Sequence, residues 1–138
     1  MADTLKLEIV TPETTIYSED VEMVTLPGSE GEAGIYPNHV PLMTRVQAGE
    51  IIVNRSGTEE VLAVGEGFIE VTGNHVAILT DNAANSADID EAAAEEAKAK
   101  AEQRLEEGGD ISEEEAKALT HAILYSRAQI TAKRRKRG

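Results

Sequence analysis

The sequence predicts an α+β protein: a small N-terminal β domain, either a sandwich or a flattened barrel, followed by a C-terminal antiparallel two-helix hairpin. Three observations carry this. Up to about Thr80 the apolar residues follow period two and are broken by turn residues at short intervals. From Ile89 the period becomes that of a helix. Two helix-start signals flank a Gly108-Gly109 pair, and a link that short makes the two helices antiparallel neighbours. The β domain is read over 1–84 and the hairpin over 85–138.

In the β domain Leu5, Leu7 and Ile9 alternate with Lys6 and Glu8, and Val21, Met23 and Thr25 alternate with Glu22 and Val24. Further strand-like runs are Leu42–Val46, Glu50–Asn54, Glu60–Val64, Phe68–Thr72 and His75–Thr80. Pro27-Gly28, Ser56-Gly57, Gly65-Glu66-Gly67 and Gly73-Asn74 supply the breaks. The last separates two β-rich runs by two residues, a hairpin signal. Many strands without intervening helices call for two packed sheets or a closed one.

In the hairpin Ile89, Ala93, Ala97, Ala101 and Leu105 lie four apart on one face. Asp88, with Glu91 three residues on, reads as the cap, and Gly108-Gly109 ends the helix. Ser112-Glu113-Glu114-Glu115 is a second capping box, after which Ala116, Leu119, Ile123, Ser126 and Ile130 repeat at 3-4-3-4 spacing. The first helix offers mostly alanine to its neighbour. Each such side chain buries little, on the order of 0.8 kcal/mol per methylene-sized group. The seam fits either a weakly docked arm that rearranges at modest cost or a static alanine-packed hairpin.

Composition narrows the function classes. The 138 residues suit one average domain or two small modules. Apolar residues make up 41%, but aromatics only 3%, so the core must be aliphatic. No apolar run approaches the roughly 18 residues of a membrane span, and Met1-Ala2-Asp3-Thr4-Leu5 lacks the basic start of a secretion signal. Direct membrane insertion is not expected. The absence of cysteine removes disulfide and thiolate chemistry and fits a cytosolic protein. A net charge of −13 opposes nucleic-acid binding over the surface as a whole. Acids dominate from Asp90 to Glu115, whereas Lys133, Arg134, Arg135, Lys136 and Arg137 form an uninterrupted basic end. A helix C-terminus favours one or two cations; five in a row exceed that need and read either as a contact for an acidic partner surface or as a solubilising tail.

Catalytic constellations are absent from the sequence. Pro27-Gly28-Ser29-Glu30-Gly31-Glu32 has no Lys and carries two carboxylates that would repel phosphate. His39, His75 and His121 are far apart and none has zinc-ligand spacing. There is no G-x-S-x-G nucleophile motif, and the acids of the first helix read as a solvated face rather than a metal site. The expectation is no enzyme, no catalytic residue, no metal and no cofactor. The segment Gly28–Thr44, with its glycines, prolines and His39, reads as a long loop of the binding kind.

That segment, Gly28-Ser29-Glu30-Gly31-Glu32-Ala33-Gly34-Ile35-Tyr36-Pro37-Asn38-His39-Val40-Pro41-Leu42-Met43-Thr44, resembles the signature loop of the epsilon subunit of F-type ATP synthases. So does Gly67-Phe68-Ile69-Glu70-Val71, followed by Asn74-His75-Val76-Ala77-Ile78-Leu79-Thr80-Asp81-Asn82-Ala83. The β portion, the Asp88-Ile89-Asp90-Glu91 helix start and the alanine-rich hairpin fall in the family's order over the whole length. The resemblance implies a β-sandwich of about ten strands with a C-terminal helix-turn-helix. It also implies a non-catalytic place in the central stalk of a proton- or sodium-translocating synthase, where the β domain binds the gamma subunit and the c-subunit ring. Glu30, Glu32 and His39 are the interface candidates toward the c ring and gamma. The family's hairpin lies folded on the β domain or extends along gamma into the catalytic head, where it obstructs rotation in the hydrolysis direction. Arg127, Lys133, Arg134 and Arg135 are then the candidates for transient contact with the alpha and beta subunits. The implied location is peripheral, at the cytoplasmic face of a bacterial inner membrane, or the stromal face of a thylakoid in a plastid or cyanobacterium.

One departure matters. Relatives that bind ATP on the folded hairpin resemble Ile/Leu-Asp-x-x-Arg-Ala at the start of the first helix, whereas Ile89-Asp90-Glu91-Ala92-Ala93-Ala94 places Ala93 at the arginine position. Ile89 and Asp90 are what remains of the motif. Without a guanidinium, and with Glu91, Glu95 and Glu96 nearby, a triphosphate loses its bidentate donor and meets like charge. Weak or absent ATP binding is expected. The alternative reading is a free-standing β-sandwich adaptor whose basic helical tail binds an acidic protein or nucleic acid.

Overall fold

The computed structural model describes residues 3–28 and 31–137, with the backbone alone at Gly28, Gly31, Glu32, Lys136 and Arg137. Ten strands come first: β1 Leu5–Val10, β2 Thr15–Val21, β3 Met23–Gly28, β4 Gly31–Ile35, β5 His39–Val46, β6 Gly49–Arg55, β7 Thr58–Val64, β8 Gly67–Gly73, β9 His75–Thr80 and β10 Ala83–Asn85. A 3-10 turn, Ser86–Asp88, leads to α1 Glu91–Glu107 and α2 Glu113–Arg137. The strands form two five-stranded sheets, a front sheet ordered β2-β1-β9-β8-β5 and a back sheet ordered β10-β7-β6-β3-β4. The fold is a sandwich, with the strand number the family resemblance implies.

Period-two alternation produces the core. Leu5, Leu7 and Ile9 of β1, Ile69 and Val71 of β8, and Val76 and Ile78 of β9 point inward from the front sheet. Val24, Leu26, Ile51, Val53, Leu62 and Val64 meet them from the back sheet. Tyr17 is the aromatic member of this cluster, and its hydroxyl donates to Glu60 Oε1 at 2.8 Å. Burial, and then that bond, push the phenol above its ordinary pKa, so it stays a donor. Arg55 bridges Glu19 and Glu60 at 3.0 and 3.3 Å, tying edge strand β2 to the back sheet.

Three readings of the β domain need correction. Val21–Thr25 is not one strand: β2 ends at Val21 and β3 starts at Met23, so Val24 faces the core in place of Met23 and Thr25. The interruption at Glu22, whose N–H donates to the Asn54 carbonyl at 2.8 Å, shifts the phase by one residue. Secondly, Gly28–Thr44 is mostly strand, comprising β4 and most of β5. Both lie at sheet edges, where glycine and proline are tolerated because one side of the strand makes no ladder bonds. The ladder is also irregular between His39 and Leu42, around Pro41. Lastly, Thr15–Val21 forms strand β2, beyond the strand-like runs of the sequence.

The hairpin forms as expected, with shifted details. Asp90, not Asp88, caps α1, accepting from the Ala93 N–H at 3.1 Å, while Asp88 belongs to the 3-10 turn. Ile89 thereby leaves the helix and inserts into a small apolar cluster. The buried face of α1 is carried by Ala94 and Ala101, with Leu105 half-buried, whereas Ala93 and Ala97 are exposed. Gly108 and Gly109 both have positive φ, 63° and 80°, and end α1 where an L side chain would be strained. Ser112 Oγ accepts from the Glu115 N–H at 3.0 Å and caps α2. Ser126 and Ile130 are buried as their spacing predicts. A second face of α2 docks on the outside of the back sheet: Ala128 and Ala132 pack with Val61, Ala63 and Ile89, flanked by Ala84 and Tyr125.

Candidate functional site

The three interface candidates of the signature segment are not gathered at one place. Glu30 lies outside the described residues, and Glu32 is described only as backbone, next to the β3–β4 turn, where Gly28 pairs with Gly31. His39 opens β5 at the other end of the sandwich, paired with Gly73 at the β8–β9 turn. There His39 Nδ1 donates to the Val40 carbonyl at 2.7 Å, and the Asn38 N–H donates to Asn74 Oδ1 at 2.6 Å. The segment thus contributes one element to each end of the sandwich.

Between those ends the front sheet exposes apolar side chains to solvent. Val40 and Met43 on edge strand β5 are 71% and 70% exposed, and Phe68 and Leu79 are 50% and 51% exposed. Phe68 and Leu79 are cross-strand partners on β8 and β9, and Arg45 of β5, opposite Phe68, places its guanidinium 5.7 Å from the ring centroid. Such a cation–π contact holds the ring in place without covering it. A cleft of about 480 Å³ opens beside this row, lined by Pro12, Arg45, Phe68, Leu79, Asp81 and His121. An apolar stripe with a polar rim is the chemistry of a protein-docking surface. Its signal was present in the sequence: in Phe68-Ile69-Glu70-Val71 the alternation that buries Ile69 and Val71 turns the chain's one phenylalanine outward.

The close approach of β8 to β9 shapes the stripe. A Cβ on Gly67 would lie 2.0 Å from the Leu79 carbonyl oxygen. Glycine is thus required beside Phe68 for the two strands to meet.

In the basic end of α2, Lys133, Arg134 and Arg135 turn back on the chain itself, while the side chains of Lys136 and Arg137 lie outside the described residues. Lys133 Nζ donates to the Ser86 carbonyl at 3.1 Å. Arg134 donates to Glu91 and Glu95, and Arg135 to Glu50. Arg127 is exposed, and its carbonyl accepts from the Thr131 hydroxyl at 2.9 Å. Higher on α2, His121 Nε2 lies 2.8 Å from Glu66 Oε2 on the β7–β8 turn. Among the described residues no group of three His, Cys, Asp or Glu is placed to hold a metal ion. No described helix is long and apolar enough to cross a membrane.

Residues 4–86 match the family model described as the ATP synthase delta/epsilon chain, β-sandwich domain. The ATP synthase epsilon chain of Desulforamulus reducens is 40% identical over 125 residues, 90% of this chain and 95% of that one. The epsilon chain of Desulfitobacterium hafniense is 40% identical over 136 residues, 97% of this chain and 99% of that one. The chain belongs to the ATP synthase epsilon-chain family.

The likeness to the epsilon chain of Desulfitobacterium hafniense takes in the hairpin as well as the sandwich. Among solved structures, a chain of the Euglena gracilis mitochondrial ATP synthase, OSCP/F1/c-ring, superposes with TM-score 0.74 at 20% identity, over 94% of this chain and 81% of that one. A chain of the central stalk/c-ring of the Tetrahymena thermophila mitochondrial ATP synthase gives 0.58 at 12%, over 95% and 97%. At such identities the two show a shared fold. The epsilon-chain family assignment rests on the sequence relatives.

Proposed function

We propose that the chain is a non-catalytic rotor subunit of an F-type ATP synthase, joining the gamma subunit to the c ring and restraining ATP hydrolysis through its hairpin. The observation that carries this reading is the exposed apolar stripe of Val40, Met43, Phe68 and Leu79 on a chain whose near-full-length relatives are epsilon chains. The stripe supplies the gamma-docking face. The β3–β4 turn, with Glu32 next to it, supplies a second contact toward the c ring. The subunit sits peripherally on the membrane-bound complex, at the cytoplasmic face of a bacterial inner membrane.

In the extended hairpin the cations Arg127, Lys133, Arg134 and Arg135 meet the acidic edge of the catalytic head. Deleting the residues after Asp110 is therefore expected to raise ATP hydrolysis by the reconstituted complex and leave its assembly intact. An unchanged hydrolysis rate removes the restraint and leaves the coupling role standing.

ATP is not the hairpin's controller. The carboxylate of Asp90 is engaged as the α1 cap, Ile89 is buried, and Arg134 spans Glu91 and Glu95. A triphosphate at this helix start would have to displace those bonds and approach two carboxylates. Calorimetric titration of ATP into the chain is expected to give no micromolar binding, and micromolar affinity overturns the claim.

A further inference from the structure

We propose that Lys133 and Arg135 form a latch, one charge-assisted hydrogen bond and one ion pair, that fastens the folded hairpin to the sandwich, and that Arg134 separately fastens the hairpin to itself. The three consecutive residues reach three parts of the molecule. Lys133 Nζ donates to the carbonyl of Ser86, in the 3-10 turn that joins sandwich and hairpin, at 3.1 Å. Arg135 Nε donates to Glu50 Oε2 near the start of β6 at 2.6 Å. Arg134 donates to Glu91 Oε2 through Nε and to Glu95 Oε1 through Nη2, both at 3.2 Å and both on α1.

The partners sort by what moves. Glu50 belongs to the sandwich, and Ser86 to the hinge itself, so a departing hairpin must break the Lys133 and Arg135 bonds. Glu91 and Glu95 travel with α1, so the Arg134 bonds survive as long as the two helices stay together.

These contacts stand beside a modest apolar face under α2 and one further polar link to the sandwich, His121 to Glu66 of the β7–β8 turn. From α2 itself the apolar contact rests on the small side chains of Ala128 and Ala132 and on partly buried Tyr125. Glu50 has only 14% of its side chain exposed, so losing Arg135 leaves a largely desolvated carboxylate without that donor. The chain's net charge of −13 adds a general preference for keeping its cations close. The latch uses the same cations that the proposed function offers to an acidic partner. Docking on the sandwich and binding that partner therefore compete. That competition rests on the proposed function; the latch itself does not.

The absence of cysteine allows a clean distance measurement on the full chain, with dyes on Thr58→Cys at the β6–β7 turn and Thr131→Cys on α2. Raising salt from about 0.1 M to about 1 M shortens the screening length to roughly 3 Å and is expected to shift the population toward long distances. Glu50→Gln and Arg135→Gln are each expected to raise the open fraction about five-fold at low salt, the scale of a partly exposed ion pair. Combining Glu50→Arg with Arg135→Glu is expected to restore the closed state. Lys117→Gln, exposed on α2 and outside the latch, is expected to change nothing. A salt-independent distance, or Glu50→Gln and Arg135→Gln indistinguishable from the parent, overturns the latch. If the reversed pair melts early, the two glutamine variants decide alone. No gamma subunit is present, so failure here leaves the rotor assignment untouched.

Discussion

Replacing Phe68 with glutamate is expected to weaken association with the gamma subunit by about 30-fold or more, the scale of losing one interface hot spot. Phe68 is half-exposed on the outer face of β8, flanked by Leu79 across the strand and by Arg45 over its ring. In the free chain its removal forfeits one cation–π contact and uncovers no core residue, so stability is expected to stay within about 1 kcal/mol. In the complex the same carboxylate would be forced into an apolar contact without a partner. Gel filtration of the mixture and a thermal melt of the free variant check the two halves. Unchanged co-elution would move the docking surface away from β8 and β9.

Changing Gly67 to alanine is expected to act through the fold instead. The added Cβ would lie 2.0 Å from the Leu79 carbonyl oxygen and 2.9 Å from the Thr80 Cα, all of it backbone that cannot rotate aside. Strands β8 and β9 must separate to admit it, at a cost of about 2–3 kcal/mol for overpacking of this kind. For a domain of this size the melting temperature should fall by roughly 10 °C. Circular dichroism melts measure it directly. Because Phe68 and Leu79 sit on the two strands pushed apart, gamma binding is expected to fall with stability, whereas Phe68→Glu dissociates the two. An unshifted melt would show that the strands tolerate the wider spacing.

Where a strand has one buried and one exposed face, its alternation was readable, as in β1, β8 and β9. Strand β2 escaped because it buries only Tyr17 and Val21, and its Ser18-Glu19-Asp20 run looks like a loop. Strand β4 and the first residues of β5, before Leu42, escaped because an edge strand tolerates Gly and Pro, and most of β5 is exposed on both faces. Asp88 and Asp90 are equally good local caps; the burial of Ile89 in a tertiary contact decides between them. The stripe was half-legible through Phe68, since its companions Val40 and Met43 look like core residues until the sheet order places β5 at an edge. The basic end was legible as charge, but its acceptor Glu50 lies 85 residues away, beyond any local rule.

The parallel pairing of β1 with β9 bears on how the chain is made. Lys6 finds His75 and Ile9 finds Ile78, so the N-terminal strand waits for nearly the whole sandwich before its inner partner exists. On a ribosome β1 and β2 emerge before the other strands of the sandwich and can pair only with each other, with Leu5, Leu7 and Ile9 still uncovered. Closing so long a loop is entropically slow, which places folding of the sandwich toward the slower end for small domains. The hairpin leaves the exit tunnel after the sandwich. By then the surface of β7 on which α2 comes to rest is complete, and the arm docks onto a finished body.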